Sequence, residues 1–310
     1  MNPAFSLLFF TTLAGLGQGM AVLLAVAHLA NVPLPRGFLL AALGLAILLL
    51  LAGLASSFLH LGKKMRAWRA VLMWRTSWMS REVIVLPLCL ALMAAWWLAV
   101  YGQAGSAVAR VLPLLVVLSA VLLWVCTGMI YACLRFVQEW AHALTVVNLT
   151  LIGLASGMLL ACALAAAGGE PRLLAAWGPA TVLLTLLAWA GRAASLRRNA
   201  RLRPKSTLQS ATGIHAARLV QKSMGMSAGS FNTREFFHGA SALALKKLRL
   251  GFQLLAFAIP AVLMLLALAF GANWLWILAA VVQLPGLLAE RWFFFAQANH
   301  PQNLYYQAVS

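Results

Sequence analysis

Eight long apolar stretches constrain this chain more than any other feature. They run Phe5–Leu29, Gly37–His60, Val83–Val100, Val111–Leu134, Leu144–Ala167, Leu173–Ala190, Leu250–Gly271 and Trp274–Phe295. A helix needs about 20 apolar residues to cross the hydrocarbon core of a bilayer, and each stretch meets or approaches that length. With 64% hydrophobic and only 9% charged residues over 310 positions, the chain carries more apolar surface than a water-soluble fold can hide. The reading is an all-α integral membrane protein, an eight-transmembrane-helix bundle forming a single membrane domain over 1–310. The first stretch is not read as a cleaved signal, because Met1–Ala4 holds no basic residue and the apolar run outlasts a signal core.

Charge then sets orientation. The chain has 23 Lys+Arg against 5 acidic residues, a balance that elsewhere suggests nucleic acid. Here the cations crowd into two inter-helix segments beside apolar runs and are read as membrane anchors and a partner-docking face, with no nucleic acid. The connections after the first, third and fifth stretches hold Arg36, Arg110 and Arg172 alone, whereas those after the second, fourth and sixth hold six, one and twelve cations. By the positive-inside rule, both termini, the His60–Glu82 connection and the long 191–249 segment face the cytoplasm, which puts a bacterial chain in the inner (cytoplasmic) membrane. That long segment is read as a docking platform, its Thr233–Glu235 stretch able to begin a helix that leads into the seventh span.

Some residues read as packing. Gly15 and Gly19 in the first stretch, and Gly153 and Gly157 in the fifth, have the small-residue spacing that lets helix backbones approach closely in lipid. Gln18, between the first pair, is expected to hydrogen-bond across helices. The cysteines Cys89, Cys126, Cys133 and Cys162 lie in or at the ends of apolar runs without a CxxC pair, which argues against an iron–sulfur cluster or a disulfide framework in this chain.

Three polar clusters carry chemistry. In SSFLHLGKKMRAWRAVLMWRTSWMSRE, His60 closes one apolar run and Glu82 opens the next, with Lys63, Lys64, Arg66, Arg69, Arg75 and Arg81 near them. An imidazole titrating near about 6.5 and a carboxylate raised from about 4.3 by burial are the donors and proton carriers that a quinone headgroup needs. The plainer alternative is that His60 ends a helix and Glu82 caps the N-terminus of the next, where the macrodipole favours an acid. In IYACLRFVQEW, Tyr131, Arg135 and Glu139 recur every fourth residue and would share a helix face, forming either an Arg135–Glu139 ion pair or part of a quinone pocket. The third cluster, ERWFFFAQANHPQNLYYQ from Glu290, is aromatic and amide-rich and reads as an interface belt or a partner contact. A bis-histidine haem is not expected, because most of His28, His60, His142, His215, His238 and His300 lie in connections or at helix ends; no metal is expected in this chain either.

SSFLHLGKKMRAWRA followed by SRE resembles the serine–x–x–His–Leu–Gly–x–x–x–Arg–Ala signature, with its downstream glutamate, of the eight-helix anchor subunits of dimethyl sulfoxide reductase-type complexes, within the wider polysulfide and nitrite reductase anchor group. The helix count and the opening NPAFSLLFFTTLAGLGQG agree, and the likeness covers most of the chain. The resemblance implies a haem-free anchor that exchanges electrons between membrane quinone and a ferredoxin-like four-cluster iron–sulfur subunit, itself bound to a molybdopterin catalytic subunit. It implies quinone-site roles for His60 and Glu82, with Arg66 as the signature arginine; Tyr131 and Arg135 are added as candidates. Lys63, Lys64, Arg69, Arg234 and Glu235 are the candidates for partner docking. Lys64 stands where the family commonly has proline.

IYACLRFVQEW, FNTREFFHG and ERWFFFAQANHPQNLYYQ also look like the anchor of cytoplasmic, quinone-reducing sulfite dehydrogenases. With the signature loop on the cytoplasmic side, the expected flow is from sulfite to quinone. The alternatives are a quinol-oxidising complex like dimethyl sulfoxide reductase itself, a purely structural anchor and, from another class, a secondary transporter; no convincing internal repeat supports the last.

Overall fold

The computed structural model describes residues 1–59, 63–103, 105–223 and 236–305. Among them, eight helices are long and apolar enough to cross a membrane. They are α1 Phe5–Leu29, α2 Arg36–Leu59, α3 Trp78–Tyr101, α4 Ser106–Ala132, α5 Ala143–Ala167, α6 Pro171–Asn199, α7 Ala242–Phe270 and α8 Trp274–Ala296. All regular structure among the described residues is helical. Successive spans alternate in direction, so the N-terminus, the α2–α3, α4–α5 and α6–α7 connections and the end of α8 share one end of the bundle.

The first helix sits in the middle. It packs on α2, α4, α5 and α8 and is the most enclosed of the eight spans. Lipid offers helices little hydrophobic incentive to associate, so close backbone packing has to supply it. Gly17 lies against Ala46 and Leu50 of α2, and a Cβ added at Gly19 would collide with the Gly153 carbonyl of α5. A Cβ on Gly157 would in turn meet the backbone at Gly19 and Met20. The glycine pairs expected to pack therefore face one another. Gln18 is different: it is buried, and its Oε1 has no hydrogen-bond partner, so the expected bond across helices is not formed through that oxygen.

Two spans run further than their apolar stretches. The sixth continues past Ala190 to Asn199, turning Arg192 and Ser195 inward, and the seventh begins at Ala242 rather than Leu250. Its N-cap is Ser241, whose hydroxyl accepts from the Ala244 amide at 3.2 Å. The inter-helix segment is thus shorter than 191–249. Thr233–Glu235 lies outside the described residues.

The seventh helix loosens into a π turn at Leu254–Ala258. Pro260 has no amide hydrogen, so the Ala256 carbonyl loses its usual donor four residues on. Gln283 of α8 replaces it, its buried Nε2 donating to Ala256 O at 3.1 Å. Gly286, one turn on, admits that bulged backbone: a Cβ there would strike Leu255 and Ala256.

Candidate functional site

The end of the bundle that carries the N-terminus and the end of α8 gathers the chemistry. Glu82 lies in the second turn of α3 rather than at its start. The cap is Ser77, which accepts from the Ser80 amide at 3.4 Å, and no acid occupies the first turn. Glu82 is instead buried, 8% exposed, and its carboxyl accepts a hydrogen bond from the Thr127 hydroxyl of α4. The helix-capping alternative for Glu82 is therefore corrected. Tyr131 lies one turn beyond Thr127 on α4. A carboxyl taken out of water with one neutral hydroxyl for company is costly to keep and suited to exchanging a proton.

His60 lies outside the described residues, as do Arg234 and Glu235, so the structure neither joins nor separates His60 and Glu82. Lys63 is described and exposed. The backbone then forms a 3-10 helix over Lys64–Met73 with Arg66 and Arg69 exposed, and Met65, Trp68, Leu72 and Met73 are more than half exposed as well. Arg81 ties this segment to α3: its guanidinium donates to Trp74 O at 2.9 Å and Arg75 O at 2.8 Å and lies over the Trp78 ring at 4.2 Å. The result is a basic ledge studded with large apolar side chains. Exposed apolar patches rimmed by charge mark surfaces that contact a partner or the membrane interface.

The expectation for Tyr131, Arg135 and Glu139 needs correction. α4 stops at Ala132, so the three do not share a helix face, and Arg135 and Glu139 form no ion pair. The chain turns because burying Val137 and Trp140 is worth more than another helical turn in an exposed segment. Trp140 slides beneath the end of α8, stacked on Phe294 at 5.5 Å with its Nε1 donating to Phe294 O at 3.0 Å. Tyr131 closes this cluster, its ring 5.3 Å from Trp140, 5.4 Å from Phe294 and 5.5 Å from Phe295. Arg135 is left exposed, and Glu139 accepts from Asn299 Nδ2 at 3.0 Å beyond α8. His142 caps α5, its Nδ1 accepting from the Leu144 amide at 3.1 Å.

Sequence reasoning missed a buried ionic cluster. Arg192 of α6 pairs with Glu290 of α8 at 2.7 Å, and Arg291 pairs with the other Glu290 oxygen at 3.2 Å. Their exposures are only 2%, 1% and 5%. Arg192 also rests between the Phe252 and Phe293 rings, 5.6 and 5.9 Å from their centroids. Asn148 of α5 donates to Ser195 Oγ at 2.7 Å beside it. Arg192 had counted among the loop cations. The signal was its position two residues past the apolar run, together with Glu290 being an acid inside an apolar one. Among the described residues, no three or more His, Cys, Asp or Glu side chains come together as a metal site would require.

Eight spans with a buried carboxyl beside a basic ledge and an aromatic seam at one end define a multi-pass membrane protein with one chemically distinct end. The chain matches the family "DMSO reductase anchor subunit (DmsC)" over residues 1–295 and belongs to it. It is thus a multi-pass membrane anchor of an oxidoreductase complex and works with catalytic subunits. A relative is a sulfite dehydrogenase subunit of Allochromatium vinosum, 49% identical over an alignment of 327 residues that covers 100% of both chains.

Proposed function

We propose that this chain passes electrons between a ferredoxin-like four-cluster iron–sulfur subunit and membrane quinone, with a molybdopterin catalytic subunit oxidising sulfite behind that partner. The observation that carries the reading is Glu82, a buried carboxyl held by Thr127 at the end of the bundle where the basic ledge lies. The full-length likeness to a protein of sulfite dehydrogenase supports the choice of sulfite over a quinol-oxidising partner. The skew of cations supports a cytoplasmic ledge in the inner membrane.

In this reading quinone is the substrate and the chain's residues handle its protons. Glu82, with His60 across the connection, delivers protons to the quinone oxygens as two electrons arrive, and recovers them from the side that holds the termini. Tyr131 closes the aromatic cluster at this end of the bundle, while Arg66 and Arg135 lend positive charge that favours a developing negative oxygen. Lys63, Lys64 and Arg69, with Arg234 and Glu235 on the other connection, hold the iron–sulfur partner; Met65 and Trp68 add apolar contact. The chain itself carries no haem or metal and performs no sulfite chemistry.

Glu82→Gln is the test, in the intact complex. General acid–base contributions run to about a hundredfold or more. Sulfite-to-quinone turnover is expected to fall by about that factor, while turnover with a soluble dye accepting electrons from the partner subunits stays unchanged. Unchanged quinone turnover would overturn the site, and loss of both activities would assign Glu82 to assembly.

A further inference from the structure

The opposite end of the bundle holds a bowl that the electron-transfer reading does not use. It has a volume of about 460 Å³ and is lined by His28 at the end of α1, Asn31 in the following turn, Arg36 opening α2, Gln103 after α3 and Arg110 on α4. The turns that form it are tight enough to put non-glycine residues at positive φ, 56° at Asn31 and 51° at Gln103. Such conformations cost free energy and persist where the surroundings fix them.

The charge in the bowl is unusual for its place. Only three cations, Arg36, Arg110 and Arg172, belong to the connections at this end. Two of the three converge here, with no acid in the lining. Arg36 spends part of its guanidinium on the end of α3, with Nε donating to Val100 O at 3.3 Å and Nη2 to Tyr101 O at 2.6 Å. Arg110, Asn31 and Gln103 make no side-chain hydrogen bond or ion pair among the described residues. Five polar side chains able to donate thus face one space, with most of their capacity unspent.

Depth identifies what belongs there. Trp97 and Tyr101 stack at 5.4 Å beside the bowl, and Trp97 Nε1 donates to Leu40 O at 2.9 Å. Tyrosine and tryptophan concentrate at the level of lipid headgroups. Leu34 and Leu39 wall one side of the bowl, and the neighbouring Leu98 is 61% exposed toward the lipid. We infer that this bowl is a binding site for a phosphate group, held by Arg36 and Arg110 with His28, Asn31 and Gln103 as further donors, and that its occupant is the headgroup of an anionic phospholipid whose chains run down the α2–α3 surface. Arginine forks suit phosphate oxygens in number and geometry.

The test uses the full chain in its complex, delipidated in detergent and titrated with phosphatidylglycerol, with phosphatidylcholine and with inorganic phosphate, each read by native mass spectrometry. Phosphatidylglycerol is expected to bind at least tenfold tighter than phosphatidylcholine. Loss of one charge-assisted contact costs about tenfold in affinity, so Arg110→Gln should weaken phosphatidylglycerol by that factor, and Arg36→Gln/Arg110→Gln by more. Arg172→Gln, outside the bowl, should leave binding unchanged. Because Arg36 also supports α3, the single variant Arg110→Gln and the variant Gln103→Ala keep the test independent of folding. Inorganic phosphate that binds wild type and not Arg110→Gln, where the lipid binds neither, would keep the phosphate site and overturn the lipid as its source. Equal weakening by Arg110→Gln and Arg172→Gln, or none by either, overturns the site.

Discussion

Replacing Glu290 with glutamine removes the anion that pairs with two buried cations. Its oxygens lie 2.7 Å from Arg192 and 3.2 Å from Arg291, at exposures of a few per cent. A unit pair about 4 Å apart is worth about 4 kcal/mol at an effective dielectric near 20, and much of that is offset by desolvation already incurred on folding. Breaking such a pair from one side leaves the desolvation in place, so the expected loss is about 3 to 5 kcal/mol. At about 1.4 kcal/mol per tenfold, the folded-to-unfolded ratio drops by two to three and a half orders of magnitude. Unfolding of the purified chain in a mixed-detergent titration, followed by the fluorescence of its 12 tryptophans, reads this directly. Arg192→Met placed on top of Glu290→Gln should recover part of the loss, because it removes a charge that no longer has a partner. A Glu290→Gln chain within 1 kcal/mol of wild type, or an Arg192→Met change that costs as much in both backgrounds, would refute the claim that these groups balance one another in a dry site.

Gly157→Ala forces α1 and α5 apart, and overpacking of this kind costs about 1 to 3 kcal/mol; the same titration checks it, and Gly37→Ala, where a Cβ meets nothing, is the neutral control. Gln283→Leu strands the Ala256 carbonyl in the bundle and should cost about 1 to 3 kcal/mol, with faster amide exchange in the π turn than in α5. His238 and His300 are held below the usual 6.5, first by loss of water and then by the nearby N-terminal amine. The folded form therefore takes up their protons less readily than the unfolded one. Their packing on Trp292 and Phe236 is fully stable above about 6.5 and weakens as pH falls below it. Hydrogen exchange over 236–241, corrected for intrinsic rates and compared between pH 7.5 and 5.5, should rise while α5 stays unchanged.

The eight spans were legible because a bilayer demands length and apolarity, and the sequence displays both directly. The facing glycines followed for the same reason. What misled was the assumption that helices stop where hydrophobicity does. Arg192 and Ser195 continue α6 because a neighbouring Glu290 makes their burial tolerable, a pairing across 98 positions that no local pattern reveals. The Tyr131–Arg135–Glu139 stripe had good helical spacing and failed because Trp140 had a stacking partner waiting on α8. Glu82 stands out in the sequence as an acid at the start of an apolar run, yet its partner Thr127 lies on another helix and has no mark in the sequence.

The glycine seam between α1 and α5 bears on how the chain is made. Helix α1 is made before α5, and the face bearing Gly15 and Gly19 meets Gly153 and Gly157 only after four more spans have been synthesised. Until then a backbone surface shaped for another helix faces lipid or a chaperone. The span at the centre of the finished bundle thus waits four spans to be enclosed, and a ribosome stalled before α5 would leave it without the neighbour it was shaped for.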